Sequence, residues 1–291
     1  MGGAFVGVAN DPSSIYWNPS GVPPKGQAAG GATVDWVRFQ TGDRTGSPAA
    51  GPTERESTFY SFGGSQFALS YGKLQTTSLG LDPQGALIGE TLATSQFGAT
   101  ILQSIANGVI VGTTLKLLHG FGASAPVTNT TVPGALSDAE ALTGQSVTKF
   151  DYDVGVMAQA SHLQFGVTLK NLQEPQFPTV AGTAIVLRRQ ARFGLAVLPT
   201  SGLTLAMDLD LDKVDLLGGL RRMIAFGGEG HLGHSLAVRG GIRWSLVGER
   251  QRAASVGASF QLKKGYWLDG QYTKGDLDGD HGFGVSLRAG F

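Results

Sequence analysis

The sequence predicts an all-β fold, a transmembrane antiparallel β-barrel of about 14 strands with a small N-terminal segment inside its lumen. Three observations carry the barrel. Apolar residues recur at every second position, connections alternate between short turns and long polar loops, and charge is scarce. Only 15% of the 291 residues are charged, against about a quarter in an ordinary globular domain. The hydrophobic fraction, 41%, is no higher than usual. Few charges without an apolar surplus suit a surface that faces something other than water and is thinly covered with apolar side chains.

The composition also excludes. No run approaches the roughly 18 to 20 consecutive apolar residues of a membrane helix. Without cysteine there are no disulfides and no thiolate metal sites. The 22 basic residues balance the 22 acidic ones and form no basic stripe, so nucleic acid is not an expected partner. No cofactor motif is present, and no Ser/His/Asp arrangement supports an enzyme.

The first 26 residues lack the period of the rest and divide from a barrel over 27–291. "GGAFVGVANDPSSIYWNPSG" (2–21) is rich in small residues and turn formers. It holds neither G-x-G-x-x-G nor G-x-x-x-x-G-K-[ST], so a phosphate loop is set aside. Asp11 and Pro12 are placed to cap a short helix, which Asn18-Pro19 then ends.

Beyond it, strands follow one another. "HLQFGVTLK" sets Leu163, Phe165, Val167 and Leu169 against Gln164, Gly166, Thr168 and Lys170. In "RRQARFGLAVL" the stripe Ala191, Phe193, Leu195, Val197 opposes Gln190, Arg192, Gly194, Ala196. "SGLTLAMDLDLD" sets Leu203, Leu205, Met207, Leu209 and Leu211 against Thr204, Ala206, Asp208, Asp210 and Asp212. "SLAVRGGIRWSL", "AASVGASFQL" and "HGFGVSLRAGF" repeat the pattern. Working back from the C-terminus, long connections such as "TKGDLDGD", "DKVDLLGG", "NLQEPQFPTVAG" and "LQTTSLGLDPQGALIG" alternate with short ones such as "LKKG", "HLGH", "QASH" and "SIANG". Such asymmetry is the pattern of an outer-membrane barrel, whereas a soluble sandwich would share only the alternation. Tyr16, Trp17, Trp36, Phe59, Tyr60, Trp244, Tyr266, Trp267 and Tyr272 tend to lie near segment ends, as an interfacial girdle would. The chain ends on Phe291, preceded at alternate positions by Leu287, Val285 and Phe283. That spacing resembles the signal by which bacterial outer-membrane barrels are recognised for insertion.

If one face meets lipid, the other lines the lumen. That face carries Lys116, Asp151, Asp153, Lys170, Arg188, Arg192, Asp208, Asp210, Asp212, Arg239, Arg243, Asp269 and Arg288. Mutual pairing to brace the wall is the plainer reading; a path for a polar or amphipathic solute is the sharper one. Arg188, Arg189, Arg192, Arg221 and Arg222 admit an anion site, with Arg189 on the lipid-facing side. His231 and His234 are too few for a metal and read as a solvated turn. Asp276, Asp278 and Asp280 alternate around Gly279 like the opening of a calcium loop, without its closing Glu; a polar hairpin loop is the competing reading.

At the N-terminus the residues reach a family. Gly2, Gly3, Ala4, Asp11, Tyr16, Trp17, Asn18, Pro19 and Gly21, with Ser20 in place of the usual Ala, resemble the opening of FadL-type outer-membrane transport proteins and their PorV/PorQ-like relatives. The resemblance implies a fourteen-stranded barrel with an N-terminal hatch, integral to the bacterial outer membrane, in contact with its lipids. It implies passive uptake of a hydrophobic or amphipathic ligand. The PorV/PorQ branch implies instead an adaptor or anchor for a periplasmic or surface protein partner. It further implies a signal peptide upstream of Met1, removed or outside this sequence.

Overall fold

The structure is a computed structural model. It describes residues 1–9, 13–21, 30–42, 44, 48, 51–64, 66–82, 84–179, 182–217, 219–248, 251–277 and 279–290. A four-residue helix, α1 (Ser14–Trp17), precedes the first strand. The chain then runs through β1 (Gly30–Thr41), β2 (Thr53–Gly64), β3 (Phe67–Leu81), β4 (Leu87–Ala106) and β5 (Val109–Pro126). Helix α2 (Val132–Glu140) leads to β6 (Val147–Ala160) and β7 (Leu163–Lys170), and a small hairpin, β8 (Gln176–Pro178) with β9 (Ala184–Val186), follows. Next come β10 (Gln190–Thr200), β11 (Leu203–Asp210) and a second hairpin, β12 (Val214–Leu216) with β13 (Gly219–Arg221). Five strands finish the chain: β14 (Met223–Leu232), β15 (Leu236–Ser245), β16 (Arg252–Lys263), β17 (Tyr266–Gly275) and β18 (His281–Gly290).

Fourteen of these strands close a barrel in which every neighbour is antiparallel, and β1 completes it by pairing with β18 from Gly31↔Gly290 to Gln40↔His281. Closure leaves no strand edge exposed. The period-two pattern sorts side chains as a membrane barrel requires. Outward lie Phe62, Ile101, Leu117, Val256 and Phe260, each more than half exposed, while inward-facing Thr100, Asp151 and Ser259 are fully buried. Phe283, Val285 and Leu287 point outward on β18; Phe291 lies outside the described residues.

Two expectations are corrected here. The stretch 74–89 is not a long loop: β3 and β4 continue as a paired ladder to Leu81↔Leu87. With β5 they are 15, 20 and 18 residues long, more than a bilayer crossing needs. The extension stays folded because α2 packs on its outer face, burying Val132, Ala135 and Leu136 against Leu79. Thr131 caps that helix through its hydroxyl, which accepts from Gly134 N. The aromatic girdle is also smaller than expected. Tyr60, Tyr266 and Tyr272 face outward, but Phe59 is buried inside, its ring centroid 5.4 Å from that of Tyr16. Adjacent residues on a strand cannot share a face.

Candidate functional site

The small face of the strands explains where the N-terminal segment goes. Gly112, Gly155, Gly166, Gly194, Gly227 and Gly241 all point inward and form one belt along the wall. Register connects them, through Gly112↔Gly155, Gly166↔Gly194 and Gly227↔Gly241. At each, an added Cβ would overlap an atom of the N-terminal segment: Pro19 O, Asn18 Oδ1, Val6 O, Gly7 N, Met1 O and Gly2 N in turn. The fit is reciprocal, since a Cβ on Gly7 would stand 2.9 Å from Gly194 C. Only glycine admits backbone so close to backbone.

Polar groups then fix the segment. Asp208 Oδ2 accepts from Phe5 N at 2.9 Å and Val6 N at 3.0 Å. Ser255 Oγ accepts from Gly2 N at 2.8 Å. Asn18, fully buried, donates through Nδ2 to Val6 O at 3.1 Å and accepts at Oδ1 from Ser20 N and Ser20 Oγ. Ser20, where the resembled family has Ala, thus has a bonding role. Ala4 and Val8 bury themselves against Ala196, Ala206 and Ala225 of the wall. Helix α1 begins at Ser14, and Ser13 at its N-cap makes no side-chain cap bond; Asp11 and Pro12 lie outside the described residues. Asn18 ends the helix as expected, its N–H bonded to Ser14 O. Gly3 takes a positive φ of 95°, and Gly21 lies against Ser14, so close that a Cβ would clash.

Tyr16 and Trp17 face the lumen, their rings edge-on with centroids 5.4 Å apart. Lys170 Nζ sits 4.0 Å over the Tyr16 ring and donates to Tyr16 O at 2.9 Å, while Arg55 donates to Tyr16 Oη at 3.0 Å. These contacts pin α1 beneath cationic groups.

The expected lumen charges fall into local networks. Lys116, almost fully buried, bridges Asp151 at 2.7 Å and Asp153 at 2.6 Å. Both carboxylates also accept backbone N–H groups, from Gln173 and Asn171. Arg192 meets Asp210 at 2.5 Å. Towards the short turns, Asp269 gathers Arg288 at 2.6 Å and Arg239 at 3.3 Å, and Arg239 also pairs with Glu229. Arg243 instead stands 4.5 Å over the ring of Phe39. Asp212 and Arg188 are corrected: β11 stops at Asp210, and both residues sit exposed in connections. Arg189 is likewise off the strands rather than on the lipid-facing side, its N–H bonded to Glu174. His231 pairs with Glu229 at 3.1 Å, and His234 is exposed in the turn. Asp278 lies outside the described residues. Asp280 is buried and occupied by Gly42 N at 2.6 Å and Leu277 N at 3.4 Å. With Asp276 exposed, no group of three metal-ligating side chains occurs among the described residues.

A cavity of about 610 Å³ runs through the lumen, from the long-loop end down past the N-terminal segment to Arg239, Asp269 and Arg288. One wall is apolar. Leu92 and Leu118 of the barrel pack with Phe177 and Ile185 of the first hairpin, flanked by Leu187 and by Leu217 of the second. Sequence reading missed this wall because the hairpin segments sit in stretches that look like polar loops. It also missed Glu229 and Arg55, and set Phe59 in the outer girdle, although all three occupy inward positions of period-two strands.

A sequence model of the family described as "F plasmid transfer operon, TraF, protein" matches residues 90–210. A search of curated proteins gave no match. Among solved structures, the CymD monoaromatic hydrocarbon channel superposes with a TM-score of 0.66 at 12% identity, over 100% of this chain and 95% of that one. A Pseudomonas aeruginosa FadL homologue gives 0.65 at 11% identity, over 99% and 96%. The Pseudomonas putida toluene transporter TodX gives 0.58 at 11% identity, over 99% and 96%. At such identity the likeness is one of fold: a closed fourteen-stranded antiparallel barrel of FadL-like type.

Proposed function

We propose that this chain is an integral outer-membrane channel for hydrophobic or amphipathic small molecules, with residues 1–26 as a hatch and the barrel as its frame. The observation that carries the reading is the stacking of two zones: an apolar-walled chamber at the long-loop end, and directly beneath it a segment seated on a glycine belt. A concave, largely apolar cavity with a few polar groups is what a small-molecule site requires. The outward apolar band supports residence in lipid, and the solved barrels of the same fold are channels. That last likeness is why transport, rather than the adaptor role of the PorV/PorQ branch, is the reading offered. A channel needs no covalent chemistry, and passive movement through it follows the solute gradient.

The test uses a Gram-negative cell and N-phenyl-1-naphthylamine, a hydrophobic probe that an intact outer membrane holds out. Expression of the chain is expected to speed its entry. Entry no faster than with an unrelated barrel would count against transport. Recovery of a water-soluble, detergent-independent β protein would overturn the membrane assignment itself.

A further inference from the structure

The cations of the lumen are not evenly matched with anions. At the belt and below it, Arg239 and Arg288 share Asp269, with Glu229 also on Arg239. Just above, Lys116 and Arg192 are paired with Asp151, Asp153 and Asp210. Higher still, the cations lining the same cavity with no carboxylate in ion-pair contact among the described residues include Arg55, Lys170, Arg221 and Arg243. Among the described residues Arg55 and Lys170 hydrogen-bond to Tyr16, with Asp153 attracting Lys170 from beyond ion-pair distance, and Arg243 stands over the Phe39 ring. The Arg221 Nε is buried and has no hydrogen-bond partner. Arg192, Arg221 and Arg55 lie near enough to Arg243 to act on it as like charges. Asp280 attracts Arg221 and Arg243 from beyond ion-pair distance, its oxygens already taken by backbone N–H groups.

Like charges gathered in one cavity repel one another unless an anion joins them. Rings of Arg and Lys are also how pores select anions and phosphate. One negative charge would leave most of this excess uncompensated. The apolar cluster from Leu92 to Leu217, whose β4 and β5 members lie between Arg55 on β2 and Lys170 on β7, offers nothing to a second charged group and suits an apolar body.

Building on the transport reading, we propose that the chamber recognises a doubly charged oxyanion headgroup on an apolar body, held between Arg55, Lys170, Arg221 and Arg243. Guanidinium groups match a phosphate monoester or a pair of carboxylates by forked hydrogen bonding. The class differs from a neutral hydrocarbon in its head and from an inorganic ion in its body.

The test is calorimetric titration of the full chain in micelles at pH 8 with 1-naphthyl phosphate, 1-naphthoate, 1-naphthol and inorganic phosphate. The phosphate monoester is then dianionic. It is expected to bind at least about tenfold more tightly than each of the other three, as one added charge-assisted contact would give. In an Arg221→Gln/Arg243→Gln variant that preference is expected to fall to within about twofold. Should the variant fail to fold, added salt on the wild-type chain serves instead, weakening naphthyl phosphate binding far more than naphthol binding. Equal binding of the three naphthyl compounds, or a preference insensitive to both the variant and salt, would overturn the proposal. Inorganic phosphate binding as tightly as naphthyl phosphate would overturn the apolar-body half of it. If naphthol alone binds and N-phenyl-1-naphthylamine still enters cells faster, the dianion proposal fails and the transport reading stands. Absence of entry with naphthyl phosphate bound would instead remove the transport reading.

Discussion

Around the belt, the wall meets the N-terminal segment backbone to backbone, and the residues that matter are those without side chains. In the chamber above, the wall projects side chains: an apolar cluster and, around it, cations. At the belt, Asp208 Oδ2 holds two amides of the segment, although its Oδ1 is buried without a partner, and Asn18 is bonded to Val6 and Ser20. The chamber's cations lack carboxylate partners among the described residues. A surface with its groups matched is built to hold what is already there, and one with unmatched groups is built to receive something else. In this barrel the two lie one above the other, with Lys116 between Gly112 of the belt and Leu118 of the chamber.

The largest break is expected at that junction. Lys116→Met strands Asp151 and Asp153 in a buried site, at a cost of about 3–5 kcal/mol. A urea titration of the barrel refolded into lipid vesicles measures it, and a midpoint unchanged from wild type would mean that the carboxylates find water or other partners. Gly194→Leu attacks the belt alone. Its side chain needs the space of Gly7, an overpacking worth about 1–3 kcal/mol. Amide exchange at residues 2–8 should accelerate while the strand ladder keeps its protection; equal acceleration of both would show that segment and wall are one cooperative unit. Tyr16→Phe is milder, removing only the bond from Arg55, at about 1 kcal/mol. It should loosen α1 and leave Met1–Val8 protected in the same exchange experiment.

The smallest effect lies outside the barrel wall, at α2. Hydrogen bonds from the Asn129 side chain, with further ones from Asn129 and Thr128, hold the exposed Asp138 carboxyl below its usual range. A depressed folded pKa stabilises above the unfolded value, and that contribution is lost as pH falls through the folded one. The 127–140 segment should therefore exchange slightly faster in acid, and Asp138→Asn should flatten that dependence.

The division between the two zones also marks what a sequence can convey. The barrel was legible because alternation is a local property: in "SGLTLAMDLDLD" the outward leucines and the inward Asp208 and Asp210 separate by position alone. The glycines of the belt could be placed on the small face of their strands, as with Gly166 and Gly194. Their partners could not be read, because they lie far away in the chain: Gly194 meets Gly7, and Gly112 meets Pro19. Phe59 misled, since an aromatic near a strand end suits either an outer girdle or an inner ring cluster, and only its parity with Tyr60 decides. The chamber was least legible. Phe177, Ile185 and Leu217 come from short hairpins inside connections, where no period announces which side chain turns inward.

The central claim is that residues at the N-terminus close a lumen which is otherwise a passage. Deleting Gly2 to Gly21 and measuring solute-driven swelling of liposomes that hold the barrel tests it most directly. Swelling should rise well above that of the full chain, because the belt then faces an open lumen. Swelling that stays at background, with the barrel folded and inserted, would contradict the claim.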